Sequence, residues 1–216
     1  MKELLVIIVA RKASKRLKNK NFIFLGSKTL VERSIIFAKK LVENKNIILS
    51  TDSKKILEIG KKSKILAPWL RPKYLSQDST KSVNVVLHAL KWYEENIKKK
   101  NYILLLQPTT PFRNLIFFKK ALSLIIKNKK NNYVSVSPIK NGAQISKSLK
   151  FKNKVLNPKK NKNYYLNGSM YLISTNEIKK KKSFVTKSTI GVIIKEKKFL
   201  LDIDYREDFN LAKTYL

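Results

Sequence analysis

Seven consecutive apolar residues, LLVIIVA at 4–10, constrain this chain more than any other stretch, because six cations crowd the twelve residues ARKASKRLKNKN that begin at Ala10. An unbroken Val- and Ile-rich run of this length reads as a strand covered on both faces. NIILS at 46–50 and YILLL at 102–106 have the same character, while YVSVS at 133–137 alternates as a half-covered strand does. Between them run helical strides: Val31, Ile35, Ala38 and Val42; then Val83, Val86, Leu87, Leu90 and Ile97; then Leu115, Phe118, Leu122 and Ile125. Asn114 is the expected N-cap of the last, and Ser79 or Asp78 of the one before. Strands alternating with helices of this length predict right-handed crossovers. The expected fold is α/β: a Rossmann-like, mainly parallel sheet with helices on both faces, in a single domain over residues 1–216.

The rhythm changes after Pro138. Residues 139–165 are rich in lysine and asparagine, with no long helical pattern and with short extended patches at LKFK and KVLN. Further strands are expected at 171–173, 190–194 and 199–203, and a last helix at 205–215.

Composition excludes some chemistry. The chain has no cysteine, which removes disulfides and thiolate catalysis. No apolar stretch approaches the roughly 20 residues of a membrane span, so no membrane partner is expected. LLVIIVA superficially imitates a secretory leader, but Glu3 and the cationic loop argue for a strand in a cytoplasmic protein. The net charge of +34 suggests nucleic acid, yet it comes from 42 lysines and only six arginines, spread along the chain. Arginine is the better fork for phosphate and base edges, so solvated faces are the expectation and nucleic acid is not.

Open α/β sheets place ligands at the C-terminal ends of their strands. Arg11, Lys15, Arg16, Lys18 and Lys20, with Ser14 and Asn21, stand where such a sheet would bind an anion. Composition alone leaves anion binding and a solvated loop equally open, and no glycine-rich phosphate loop is present. Asp52, in the stretch TDS, is expected to cap the next helix. Gln107 leaves the third strand into a turn stiffened by two prolines, a firm place from which to orient a ligand. Asp202 and Asp204, two apart in LDIDYRED, project from one face and suit a divalent cation. The alternative is a capping box of Asp204 with Glu207. His88, the single histidine, falls mid-helix and is expected to pack.

Together these pieces resemble the acylneuraminate cytidylyltransferase family, the enzymes that make CMP-sialic acid and related CMP-sugars. The pattern ARxxSKxxxxKN is met by Ala10, Arg11, Ser14, Lys15, Lys20 and Asn21, and STD by Ser50 to Asp52. LRPxxLxxDxxxS is met by Leu70, Arg71, Pro72, Leu75, Asp78 and Ser82, and LLQPTxPxR by Leu105 to Arg113. NGxxY is Asn167 to Tyr171 and DID is Asp202 to Asp204. The chain departs from the common pattern at Lys12 and Ala13, where many members have glycines, and at Leu201, where serine is frequent. Tyr165 and Leu166 stand where an arginine is often found.

The resemblance implies transfer of CMP from CTP to a nine-carbon α-keto sugar acid of sialic or legionaminic type, for surface glycans. It implies a nucleotide-diphospho-sugar transferase fold. Lys20, Arg11 and Lys15 would act on the triphosphate, with Ala10, Ser14 and Asn21 lining the nucleotide; Arg71 and Ser82 would recognise cytidine. Gln107, Asn167 and Tyr171 would meet the sugar, and Asp202 and Asp204 would hold Mg²⁺, or Mn²⁺ in its place. A homodimer is implied, joined through a small subdomain at 139–185. Pseudaminate or KDO as the sugar ranks behind, and a basic nucleic-acid-binding protein is the alternative of another class.

Overall fold

The computed structural model describes residues 3–14, 16–128, 132–139, 150–160 and 162–216. The first half contains β1 (Leu4–Ala10), β2 (Phe24–Leu25), β3 (Lys28–Thr29), α1 (Leu30–Lys39), β4 (Ile47–Thr51), α2 (Lys54–Lys62), α3 (Ser82–Asn96) and β5 (Tyr102–Leu106). The second contains α4 (Leu115–Lys127), β6 (Asn132–Pro138), β7 (Lys150–Phe151), β8 (Tyr164–Ser174), α5 (Thr175–Lys181), β9 (Thr189–Ile193), α6 (Lys197–Leu200) and α7 (Arg206–Lys213).

One seven-stranded sheet carries the fold in the order β4–β1–β5–β8–β6–β9, with β7 paired to β8. β1 runs parallel to both β4 and β5, and β9 parallel to β6. β8 is the exception: it lies antiparallel between β5 and β6, making the sheet mixed. The two-faced burial of β1 explains its sequence. Leu4, Val6 and Ile8 pack toward α1, α2 and α4, while Leu5 and Ile7 pack toward α3 and α5. A polar residue on either face of β1 would leave a hydrogen-bonding group stranded between sheet and helix.

Several local expectations change. Asn114 does cap α4, its side chain accepting from the Phe117 amide at 3.1 Å. α3, by contrast, starts after Lys81 with no side-chain cap, and Asp78 instead pairs with Arg11. Ser53, not Asp52, caps α2. The stretch 199–203 is no strand: α6 ends at Leu200, and Ile203 then docks by donating its amide to the Thr109 carbonyl at 2.8 Å. Its apolar residues fill a separate core with Leu17, Leu25, Leu30, Phe112 and Phe209, which explains their hydrophobicity without a ladder. Nor does Asp204 cap α7. Asp208 accepts from the amides of Asp204 and Tyr205, at 2.9 and 2.8 Å.

Within 139–185, residues 140–149 and 161 lie outside the described residues, and 164–174 is β8, inside the main sheet. Among the described residues no helix is long and apolar enough to cross a membrane.

Candidate active site

A cavity of about 360 Å³ opens beyond the C-terminal ends of β1 and β5. Nine of the thirteen residues that the resemblance assigns to the site line it: Arg11, Ser14, Lys20, Asn21, Arg71, Ser82, Gln107, Asp202 and Asp204. The loop after β1 supplies the first wall. Asn19 adopts a left-handed φ of 55°, and one 3₁₀ turn at Lys20–Phe22 then turns Lys20 and Asn21 inward, where both are buried. Asn21 secures the loop by donating to the Arg11 carbonyl at 2.9 Å.

Lys20 Nζ lies 2.5 Å from Asp204 Oδ1, across 184 positions of sequence. Arg16 reaches the other oxygen, Oδ2, at 2.6 Å, and its guanidinium sits 5.1 Å from the centre of the Tyr205 ring. The hydrogen bond to Tyr205 and the charge of Asp204 hold Arg16 above the ordinary arginine pKa. Two cations thus share one carboxylate at the cavity wall, and both remain next to space that an anion could enter.

Arg71 forms the opposite side. Its side chain is almost wholly buried, 3.4 Å from Asp52 Oδ1, and Nε donates to Ser76 Oγ at 3.3 Å. Burial pushes its pKa down and the Asp52 carboxylate opposes that shift. Asp52 also accepts from the Lys12 amide at 2.7 Å, so one carboxylate ties the first loop to the Arg71 segment. Sequence reading assigned Asp52 to a helix cap and missed this bridge. His88 packs as expected, edge-on to Trp69 at 5.0 Å, with its pKa lowered first by burial and then by Arg71 and Lys91.

β8 stands behind two of the lining residues, Gln107 and Asp202. Pairing with β6 slips between Val134 and Val136, so residues 167–170 bulge out of the ladder. Gly168, with φ +77°, brings its backbone against the site: a Cβ there would stand 3.3 Å from Gln107 Oε1 and 3.7 Å from Asp202 Oδ2. Asp202 opens to the cavity, yet the walls exclude enough water to push its carboxyl up, against a hydrogen bond from Thr109 that pulls it down.

Three predicted residues stand elsewhere, and one is out of view. Asn167 spends its amide inside the sheet, accepting from Ser135 at 2.5 Å and donating to Ser137 at 2.8 Å, which anchors the bulge. Tyr171 packs on Phe184 at 5.1 Å, and burial with the charge of Asp202 pushes its phenol up to about 12. Ala10 is buried at the end of β1 opposite Thr51. Lys15 lies outside the described residues.

Among the described residues no group of three or more His, Cys, Asp or Glu side chains forms a metal cage. Asp202 and Asp204 instead present hard oxygen donors at one cavity. That set suits a cation such as Mg²⁺, which takes its other ligands from phosphates and water.

Residues 5–214 match the family described as Cytidylyltransferase. The chain is 30% identical to a CMP-N,N'-diacetyllegionaminic acid synthase of Legionella pneumophila, over 99% of this chain and 96% of that one. It is 29% identical to an N-acylneuraminate cytidylyltransferase of Streptococcus agalactiae, over 94% of this chain but only 51% of the longer relative. A CMP:2-keto-3-deoxy-manno-octonic acid synthetase solved with CTP has the same fold at TM-score 0.70 and 10% identity, over 99% of this chain and 98% of that one.

Proposed function

Because the chain belongs to the cytidylyltransferase family, we propose that it transfers CMP from CTP to the anomeric hydroxyl of a nine-carbon α-keto sugar acid of sialic or legionaminic type. The hydroxyl oxygen forms a bond to the α-phosphorus, the α–β anhydride breaks, pyrophosphate departs with the bonding pair, and the hydroxyl proton passes to solvent water. Such a reaction asks little covalent chemistry of a protein; placing the reactants and balancing charge on the leaving group do most of the work.

The observation that carries this reading is the meeting of Lys20 and Arg16 with Asp204 beside the same cavity that holds Arg11, Arg71 and Gln107. Lys20, Arg16 and Arg11 would take the triphosphate, and on its arrival their charge would shift from carboxylates to phosphate oxygens. Arg71, fixed by Asp52 and Ser76, and Ser82 would face the cytidine. Gln107, beside the β8 bulge, would face the sugar. Asp202 and Asp204 would hold Mg²⁺, which supplies Lewis-acid polarisation of the phosphate. We also propose a cytoplasmic homodimer joined through residues 139–185, on the strength of the family resemblance.

The test is pyrophosphate release from CTP and Mg²⁺ across a panel of nine-carbon keto acids. Release with a sialic or legionaminic-type acid is expected, with kcat lower by about 100-fold or more in Lys20→Ala and Asp204→Ala. Silence of the folded protein across the panel would overturn the reading.

A further inference from the structure

Arg113 sits 5.6 Å from the centre of the Phe37 ring, close to the N-terminus of α4 and away from the main cavity. Its Nε and Nη1 are buried without a hydrogen-bond partner, and the small cavity beside it is walled by Phe112, Phe117, Phe118 and Phe199 together with Lys195 and Glu196. Burial pushes the guanidinium down to about 9, still above neutral pH, so the side chain keeps its charge. A cation here is costly twice over, through desolvation and through the positive end of the α4 dipole. Its remaining nitrogen shows what the cation does.

Arg113 Nη2 donates to the Gln107 carbonyl at 2.7 Å and to Thr110 Oγ1 at 3.4 Å. The same carbonyl accepts from the Thr110 hydroxyl at 3.0 Å and from the Thr110 amide at 3.2 Å. Pro108 and Pro111 have no amide hydrogen, so this short turn has few donors of its own. From the turn, Gln107 presents its side chain to the cavity, Thr109 hydrogen-bonds Asp202, and the Thr109 carbonyl receives the Ile203 amide. One buried cation therefore stands behind both the group facing the sugar and the joint that seats the carboxylate segment.

We propose that Arg113 is a positioning residue for the transfer reaction, locking the 107–110 turn so that Gln107 and the Asp202 segment hold a single register. This rests on the cytidylyltransferase reading, while its structural half can be measured without substrate. A planar guanidinium can bond two acceptors from under an aromatic ring; an ammonium is a more strongly hydrated point charge and replaces it poorly.

The experiment compares wild type, Arg113→Met and Arg113→Lys by amide hydrogen exchange and by steady-state kinetics. In Arg113→Met the amides of Thr110 and Ile203 should exchange about tenfold faster or more, while Leu105 in β5 stays as in wild type. The Michaelis constant for the acid sugar should rise about tenfold, with that for CTP within about twofold. The melting temperature should hold or rise, since an apolar replacement removes a buried charge. Arg113→Lys should fall between, and decides alone if Arg113→Met does not fold. Unchanged exchange at Thr110 and Ile203 would overturn the proposal, and so would faster exchange throughout β1 and β5. A wild type inactive on every sugar would defeat the reaction assigned above, while the exchange result would still decide the role of Arg113 in the turn.

Discussion

A methyl group on Gly168 would have to enter the narrow gap between Gln107 and Asp202, on a backbone whose φ of +77° an L-residue adopts only with strain. Gly168→Ala is therefore expected to lower stability by about 1–2 kcal/mol, measured by denaturant unfolding. The larger effect should fall on catalysis, because the methyl meets Gln107 and Asp202, the two side chains proposed to face sugar and metal. A tenfold or greater fall in kcat/KM for the sugar, on the order of the cost of a small misplacement, would show that the bulge is shaped around them. An Ala variant with wild-type kinetics would mean the turn merely passes by. At this scale the cations and carboxylates were legible, since charged residues in an apolar frame stand out. Their pairings were not. Asp52 bridges Lys12 and Arg71, 40 and 19 positions away, and no local pattern encodes a contact of that kind.

Glu177 shows how an element is fastened at the far end of the sheet. One oxygen on α5 accepts from the Thr186 and Ser188 hydroxyls, at 2.6 and 2.7 Å, and from the side-chain amide of Asn132 at the start of β6. Burial works against its charge, but these bonds prevail and hold the carboxyl below its ordinary value of 4.5. A depressed carboxyl gives stability that is complete above its unfolded pKa and fades as pH falls through the folded one. Glu177→Gln should thus cost about 1–2 kcal/mol at neutral pH, and the gap to wild type should close below pH 4.5. Equal stability at both pH values would show that the hydroxyl cluster holds without the charge. Glu177 belongs to an element the sequence concealed: α5 is only seven residues long, too short for a helical period to declare itself. β1, β4 and β5 were legible because burial on both faces leaves an uninterrupted apolar run. β8 showed only its last third, because the bulge at 167–170 breaks its alternation, and the apolar residues before Asp202 imitated a strand while serving a separate core.

The charge of +34 acts on the whole molecule in two opposed ways. It raises the potential felt by an approaching triphosphate, and it pushes a second copy of the chain away. Screening separates the two, because the Debye length falls from about 10 Å at 0.1 M salt to about 3 Å at 1 M. Salt should therefore weaken CTP capture, seen as a rising Michaelis constant for CTP at fixed Mg²⁺. It should strengthen the proposed homodimer, seen as a growing dimer fraction in sedimentation equilibrium over the same range. Lys20 and Arg16 are already paired with Asp204, so the nucleotide meets cations whose carboxylate partner weakens their pull at a distance. The attraction then comes mostly from lysines scattered over the surface, and removing exposed ones outside the proposed dimer joint, Lys39, Lys40, Lys119 and Lys120, should flatten the salt dependence of CTP capture while leaving kcat unchanged. If the Michaelis constant for CTP were insensitive to salt while the dimer tightened, the surplus charge would serve only to keep molecules apart, and capture would rest on the lining of the cavity alone.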